Sequence, residues 1–155
     1  MKVITSSSLR RAAIAFLARR EHSIFELKQK LFIKFPEASE NLLNEVLTAL
    51  QEENLQSDSR YAESYTRYRK GRGFGYRNIK REMQKKKIDP DIYEKHLNAN
   101  DRDWISIISS VVKKKIRYNS TLIMGSKEYL KLISFLQSRG FLQWQIDIAI
   151  RDDLH

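Results

Sequence analysis

Cysteine is absent from this chain of 155 residues, and proline and glycine are scarce, with two prolines and five glycines. Without cysteine the chain cannot form disulfides or thiolate metal sites, which is typical of proteins kept in a reducing compartment. Few prolines and glycines leave little room for the many tight turns of a β fold. Because Leu, Lys, Arg, Glu and Gln are good helix formers and are well supplied, the composition favours helix.

Long apolar runs are missing as well. The N-terminal sequence has no apolar segment of the kind found in signal peptides, and the uncharged run from Trp104 to Val112 is too short to span a bilayer. We therefore expect a soluble, unsecreted, cytoplasmic protein without a membrane partner.

Motifs for enzymatic chemistry are also lacking. The sequence contains no GxSxG, P-loop or HExxH motif. Its histidines, His22, His96 and His155, are scattered, with no second ligand at metal-binding spacing. We predict no catalytic site, no metal site and no cofactor.

Positive charge, in contrast, is concentrated in one stretch, the central basic segment from Arg60 to Lys87. It holds eleven lysines and arginines against two glutamates, or +9 of the formal net charge of +10. Such a field attracts a polyanion or an acidic protein surface. Five aromatic residues lie among the cations and could either stack bases or form the buried stripe of a helix. They are Tyr61, Tyr65, Tyr68, Phe74 and Tyr76.

Helical spacing favours burial of the first three tyrosines, because positions 61, 65 and 68 lie on one helix face. The glycines of the run KGRGFG, at positions 71, 73 and 75, predict a turn rather than a nucleotide-binding loop, since the GxGxxG spacing is absent. A second helix begins near Gly75 or Tyr76 and directs Ile79 and Met83 inward. The segment is thus predicted to be helix, glycine turn, helix.

Helical signals recur on both sides of this segment. An apolar stripe starts at Leu9, after a tail without periodicity. Ser23 and Glu26 predict a capping box, and Asp101 or Asp103 is predicted to cap a helix that starts near Trp104, although WISIISSVV is rich in β-branched residues. Residues 117–125 are predicted to form a loop, Ser126 starts a helix, and Gly140 ends it.

Apolar pairs within these helices reveal an internal repeat. Leu27 and Leu31 match Ile79 and Met83 at an offset of 52 residues, and the latter pair matches Leu132 and Leu136 at an offset of 53. We predict an all-α fold of three tandem three-helix repeats that form an elongated, curved array. The predicted boundaries are 1–8 for a flexible tail, 9–56 for the first repeat, 57–99 for the central basic repeat and 100–155 for the third.

The segment DSRYAESYTRYRKGRGFGYRNIKREMQKKKI resembles the central signature of the RecX family, the regulators of the RecA recombinase. LARREHSIFELKQKL is similar to the family's first repeat and KLISFLQSRGFLQWQIDIAI to its third, so the resemblance covers about Leu9 to Ile150. The chain departs from the family pattern at Tyr76, where proline is usual, at Lys87 and Phe35, where glycine is frequent, and at Ile24, where arginine is common.

The resemblance implies a monomeric, all-helical protein that binds RecA filaments, suppresses their ATPase and strand-exchange activities, and also binds DNA without sequence preference. It directs attention to the cations inside the matching signature as RecA- or DNA-binding residues. These are Arg60, Arg67, Arg69, Lys70, Arg72, Arg77, Lys80 and Arg81.

Two other functions remain open on the residues alone. The first is a sequence-independent DNA-binding module, which shares the same basic surface. The second is a nuclease or another phosphate-handling enzyme, for which no motif is present. Each cation could also simply lie on a solvated helix face without binding anything, but so many like charges close together are less consistent with this interpretation.

Overall fold

The structure is a computed structural model that describes residues 3–116 and 124–153, without the side chain of Asp153. Within these ranges every regular element is helical. The helices are α1 (Ser6–Arg19), α2 (Ile24–Lys34), α3 (Glu40–Glu52), α4 (Asp58–Gly71), α5 (Tyr76–Lys85), α6 (Pro90–Tyr93), α7 (Asp103–Lys115), α8 (Lys127–Ser138) and α9 (Gln143–Asp153). The prediction of an all-α helical repeat fold is confirmed. None of the helices in the described ranges is long and apolar enough to cross a membrane.

Contacts divide the chain into two compact units. The first holds the described residues up to Ser64 together with Met83–Tyr93, and the second holds Tyr65–Glu82 together with the described residues from Glu94 onward. The central repeat therefore contributes to both units, and the boundaries of the three repeats stay a prediction.

The core of the first unit lies between α1, α2 and α3. Leu9, Ala13, Leu27, Leu31 and Leu50 are fully buried there. Helix α1 begins at Ser6 rather than at Leu9, because Thr5 and Ser8 form a capping box that starts the helix before the apolar stripe.

Serines cap three of the other helices, and the caps at Ser23 and Ser126 are those that the sequence predicts. The hydroxyls of Ser23, Ser39 and Ser126 accept hydrogen bonds from backbone amides in the first turns of α2, α3 and α8. The capping box predicted at Ser23 is wrong in its second half. The Glu26 carboxylate accepts hydrogen bonds from Arg20 and Lys86 instead of from the Ser23 amide.

The WISIISSVV segment forms α7, as predicted. Trp104, Ile108 and Val112 are buried at helical spacing, so burial of one face outweighs the β propensity of the isoleucines and valines. The predicted aspartate cap is wrong, since Arg102 occupies the N-cap position without a side-chain hydrogen bond. The loop predicted over residues 117–125 lies mostly outside the described residues.

The repeated apolar pairs are all buried, with Ile79, Met83, Leu31 and Leu136 at 0% exposure. Four helices, α3, α4, α5 and α8, also end alike. Each is followed by a residue with positive φ, and the next amide donates to a carbonyl five residues earlier, which is the Schellman motif. The residues with positive φ are Asn54, Gly73, Lys87 and Gly140.

Candidate functional site on the central basic segment

The glycine turn between α4 and α5 is held by close backbone contacts with the turn that follows α8. The Gly75 amide donates to the Arg139 carbonyl at 2.7 Å, and the Arg77 amide donates to the Gly140 carbonyl at 3.0 Å. A Cβ atom on Gly75 would lie 2.4 Å from the Phe141 nitrogen. The glycines therefore allow a backbone approach that any side chain would block, and this approach places both turns at one site in the second unit.

Three of the eight predicted binding cations are held by acidic residues. Arg69 donates to both oxygens of Glu82, at 2.7 and 3.2 Å. Lys70 donates to Asp103 at 2.9 Å and to Asp101 at 3.4 Å, and its side chain is only 13% exposed. These aspartates, predicted to cap α7, thus neutralise a lysine instead.

Arg60 is the third paired cation, and it lies in the first unit. Its Nε donates to Glu21 Oε1 at 3.0 Å, and its Nη1 donates to the Asn54 side chain at 3.0 Å. Since the side chains of Arg60 and Glu21 are both half-buried, Arg60 is an anchor for the start of α4 as much as a surface charge.

Four of the predicted cations have exposed side chains, and all lie in the second unit: Arg67, Arg72, Arg77 and Arg81. Within the described residues no carboxylate pairs with Arg72, Arg77 or Arg81. Arg77 and Arg81 lie one helical turn apart on α5 and so point to the same side. The eighth cation, Lys80, is half-buried, with its Nζ 5.7 Å from the centre of the Tyr76 ring.

The three tyrosines predicted to be core differ in burial. Tyr61 is 2% exposed, Tyr65 is half-buried, and Tyr68 is 56% exposed, so the prediction is wrong for Tyr68. Tyr68 belongs to the last turn of α4, where it borders an open groove, and the Arg72 guanidinium lies 5.7 Å from its ring centre.

This groove, which we call the cationic groove, has a volume of about 1070 Å³ and is formed by the end of α4, the glycine turn, α7 and α8. Within residues 3–116 and 124–153, no acidic residue lines it. The cations that line it are Arg69, Lys70, Arg72, Lys114, Lys115 and Arg139.

Sequence reasoning missed three of these cations, Lys114, Lys115 and Arg139. The run of lysines at positions 113–115 was a usable signal, because three consecutive cations end α7 and two of them reach the groove. Arg139 carried no local signal. Its place depends on the backbone contact between the two turns, since its own carbonyl accepts from Gly75.

The first unit holds a separate cluster of ionisable groups around Glu26. Burial of Glu26 opposes its ionisation, but hydrogen bonds from Arg20 and Lys86 outweigh this and lower its pKa to about 2. For His22, burial itself lowers the pKa, because it disfavours the charged imidazolium. Its Nδ1 donates to the Arg20 carbonyl, while its Nε2 accepts from Lys30. These contacts tie α2 to the residues that follow α5.

Among the described residues no group of three or more histidines, cysteines, aspartates or glutamates could hold a metal ion. His22 forms the hydrogen bonds described above. His96 belongs to the second unit and is far from His22 along the chain. His155 lies outside the described residues. The lysines and arginines that line the cationic groove are groups that attract anions.

Comparisons with known proteins agree with the sequence resemblance. A family profile described as "RecX, second three-helix domain" matches residues 57–97, which include α4, α5 and α6. The chain is 36% identical over 146 residues to the regulatory protein RecX of Vibrio vulnificus, with 94% of this chain and 93% of that protein covered. It is 37% identical to the regulatory protein RecX of Mannheimia succiniciproducens, with 83% of each chain covered. A crystal structure of RecX from Lactobacillus salivarius is similar with a TM-score of 0.81, 27% identity and 97% of both chains covered.

Proposed function

Because the chain belongs to the RecX family of regulatory proteins, we propose that it binds filaments of the RecA recombinase and inhibits their ATPase and strand-exchange activities during DNA repair and recombination. The binding surface in this proposal is formed by Arg67, Arg72, Arg77 and Arg81.

One observation carries the choice of this surface. Arg72, Arg77 and Arg81 are exposed and have no carboxylate partner within the described residues, whereas Arg69 and Lys70 of the same segment are already neutralised. Exposed like charges close together repel each other, and an acidic partner surface relieves that repulsion. A guanidinium can also hold a carboxylate or phosphate with two parallel hydrogen bonds, which makes arginine well suited to this contact.

The remaining predicted cations position this surface in our proposal. Arg69 and Lys70 hold the end of α4 to Glu82 and to the start of α7, and Arg60 holds the beginning of α4. Their ion pairs make them fold determinants, so their substitution is expected to affect stability and inhibition together.

Replacement of the four exposed arginines by alanine tests the proposal. The variant should fold, since exposed substitutions usually change stability within about 0.5 kcal/mol each. Charge-assisted contacts contribute about 1.5 to 3 kcal/mol each, so their loss should abolish inhibition of RecA ATPase on single-stranded DNA at concentrations where the parent protein acts.

A matched control removes the same charge elsewhere. It replaces four exposed cations outside the segment, namely Arg11, Arg19, Lys95 and Lys127. This control should inhibit as the parent protein does. Full inhibition by the arginine variant would mean that RecA contacts another surface of the protein. Loss of inhibition in both variants would mean that inhibition depends on net charge rather than on these four arginines.

Nucleic-acid binding is a second candidate function, favoured by the cationic groove, whose described lining residues include no acidic side chain. Competition for DNA would also slow a DNA-dependent ATPase, so the two functions need separating. Inhibition of RecA that persists when single-stranded DNA is in large excess supports direct binding to the filament. Inhibition that disappears in excess DNA would support DNA binding alone.

A further inference from the structure

The cationic groove extends beyond the predicted central repeat, because α7 and α8 contribute to its lining. Of its six cations, Arg69 and Lys70 are neutralised by acidic residues, but Arg72, Lys114, Lys115 and Arg139 have no carboxylate partner within the described residues. The groove thus presents four uncompensated charges, contributed by the glycine turn, α7 and the end of α8.

Cations of the lining, Arg69 among them, lie over the rings of Phe74 and Phe135, whereas the exposed Tyr68 ring has the Arg72 guanidinium at 5.7 Å. The guanidinium carbons of Arg69 and Arg139 lie 3.6 and 4.4 Å from the centre of the Phe74 ring. The Phe135 ring has Lys115 Nζ at 4.0 Å and the Arg139 guanidinium at 4.9 Å. A base that stacked on either ring would have to displace a cation that the ring already attracts.

Cation–π contacts of this kind also restrict side chains that are otherwise flexible. Lysine and arginine lose considerable rotamer entropy when a ligand fixes them, and a ring that holds the cation beforehand lowers that cost. Arg139 is fixed further by a hydrogen bond from its Nη1 to the Arg72 carbonyl at 3.4 Å. The rings therefore hold the cations in position, and the cations contact the ligand.

Among the described residues, few neutral polar groups that could read base edges line the groove. Besides its cations, the groove is lined by aromatic, aliphatic and glycine residues and by Ser110 and the Tyr68 hydroxyl. Donors and acceptors at several positions are needed to distinguish bases, whereas lysines and arginines that contact phosphates bind any sequence.

We propose that the cationic groove binds one strand of nucleic acid by its phosphodiester backbone alone, with Arg72, Lys114, Lys115 and Arg139 on the phosphates, the bases directed to solvent, and Phe74 and Phe135 as positioning residues for the cations. This rests on the second candidate function and specifies its site and its mode of binding. It differs from the usual single-strand platform, in which aromatic rings stack the bases.

Binding to short oligomers without any recombinase tests the proposal independently of RecA. The probes are oligothymidylate, an abasic phosphodiester oligomer of the same length, and an oligoglutamate of equal charge. We expect the abasic oligomer to bind within about threefold of oligothymidylate, because phosphate contacts do not use the bases. A tenfold or greater loss would show that bases stack in the groove and would overturn the proposal. Oligoglutamate that binds as tightly as oligothymidylate would overturn it in favour of an acidic protein ligand.

Variants then assign the contacts to the groove. Lys115→Ala and Arg139→Ala should each reduce the slope of log affinity against log salt by about 0.7, the value for one phosphate contact on a single strand. Lys131→Ala removes an exposed cation on α8 outside the groove lining and should leave the slope unchanged. An unchanged slope in both groove variants would place the strand elsewhere and overturn the proposal.

Substitutions at Phe135 test whether its ring positions the cations or only packs against neighbouring side chains. Phe135→Leu keeps every cation, so the salt slope should stay the same while affinity falls severalfold, and Phe135→Tyr should restore the affinity because the ring returns. Affinity unaffected by Phe135→Leu in a folded protein would show that the ring does not position the cations. Inhibition of RecA that survives in the groove variants leaves this proposal intact, because oligomer binding is measured by itself.

Discussion

At the scale of single residues, Lys87 has a backbone conformation that suits glycine. Its φ is +58°, and it occupies the left-handed position of the Schellman motif after α5, where its amide donates to Gln84 and the next amide donates to Met83. A side chain is strained in this conformation, whereas glycine adopts it without strain.

Lys87→Gly should therefore raise the free energy of unfolding by about 1 kcal/mol, measured by urea denaturation. Asn54→Gly provides a comparison, because Asn54 has the same conformation after α3, but asparagine tolerates it better and its side chain accepts a hydrogen bond from Arg60, so no gain or a small loss is expected. A loss of stability in Lys87→Gly would mean that its side chain makes a compensating contact.

Glu26 should make stability depend on acidic pH. Its pKa is lowered to about 2 in the folded protein, below that of the unfolded chain, so the folded state binds the proton less readily. The stabilisation is fully present above about pH 4.5 and is lost as the pH falls towards 2. Because Arg20 is half exposed, we expect about 1 to 3 kcal/mol.

The comparison of the parent protein with Glu26→Gln by thermal unfolding between pH 2 and pH 6 measures this dependence. The variant should be less stable at pH 6 and should approach the parent near pH 2. Equal differences at both ends of the range would indicate a packing defect rather than the loss of a charge.

At the scale of elements, the glycine turn between α4 and α5 is set by contacts with the turn after α8. Gly75→Ala would place a Cβ 2.4 Å from backbone atoms and should destabilise the fold by more than about 2 kcal/mol. A Cβ atom on Gly71, within α4, would meet nothing within 4 Å, and Gly71 has no positive φ. Gly71→Ala should therefore be neutral or stabilise by up to about 1 kcal/mol.

Thermal unfolding of these two variants provides the measurement, and binding to oligothymidylate provides a second one. Gly75→Ala should also weaken oligomer binding, since the same contact holds Arg139 at the groove. If both substitutions had equal effects, the backbone contact would not govern the turn.

The elements could be predicted well from sequence because their signals are local. Apolar residues at helical spacing, a serine before α2, α3 and α8, and a glycine after α8 are patterns that each lie within a few neighbouring residues. The errors arose where two local signals competed. Asp101 and Asp103 stand where a cap for α7 is expected, but their carboxylates pair with the amino group of Lys70 instead of with the helix amides.

The candidate site was predictable only as a concentration of charge. Which cations stay available depends on partners distant in sequence, such as Glu82 for Arg69. The exposure of Tyr68 likewise follows from an open groove that α7 and α8 complete. Lys115 and Arg139 belong to this groove only because the chain folds back on the glycine turn. Helical periodicity in the sequence does not indicate which residues distant in sequence contact each other.

At the scale of the whole molecule, a formal net charge of +10 with most of it in one segment predicts that salt stabilises the fold. Screening weakens the repulsion among exposed cations more than it weakens partly buried ion pairs. Raising sodium chloride from about 0.02 to 0.2 M should increase the melting temperature by about 2 to 4 °C, which corresponds to about 1 kcal/mol.

The variant without Arg67, Arg72, Arg77 and Arg81 should show a smaller increase, because its formal net charge is lower by four. A melting temperature that falls with salt in the parent protein would mean that surface ion pairs outweigh the repulsion.

The contact between Gly75 and the turn at Gly140 also has a consequence for synthesis on the ribosome. The two glycines are 65 positions apart, and α4 and α5 emerge long before the residues that brace their turn. A nascent chain stalled ahead of Gly140 would carry the exposed arginines of α5 without the groove. Capture of polyanions by stalled chains should therefore rely on the arginines alone, and the groove should form only after the turn at Gly140 has emerged.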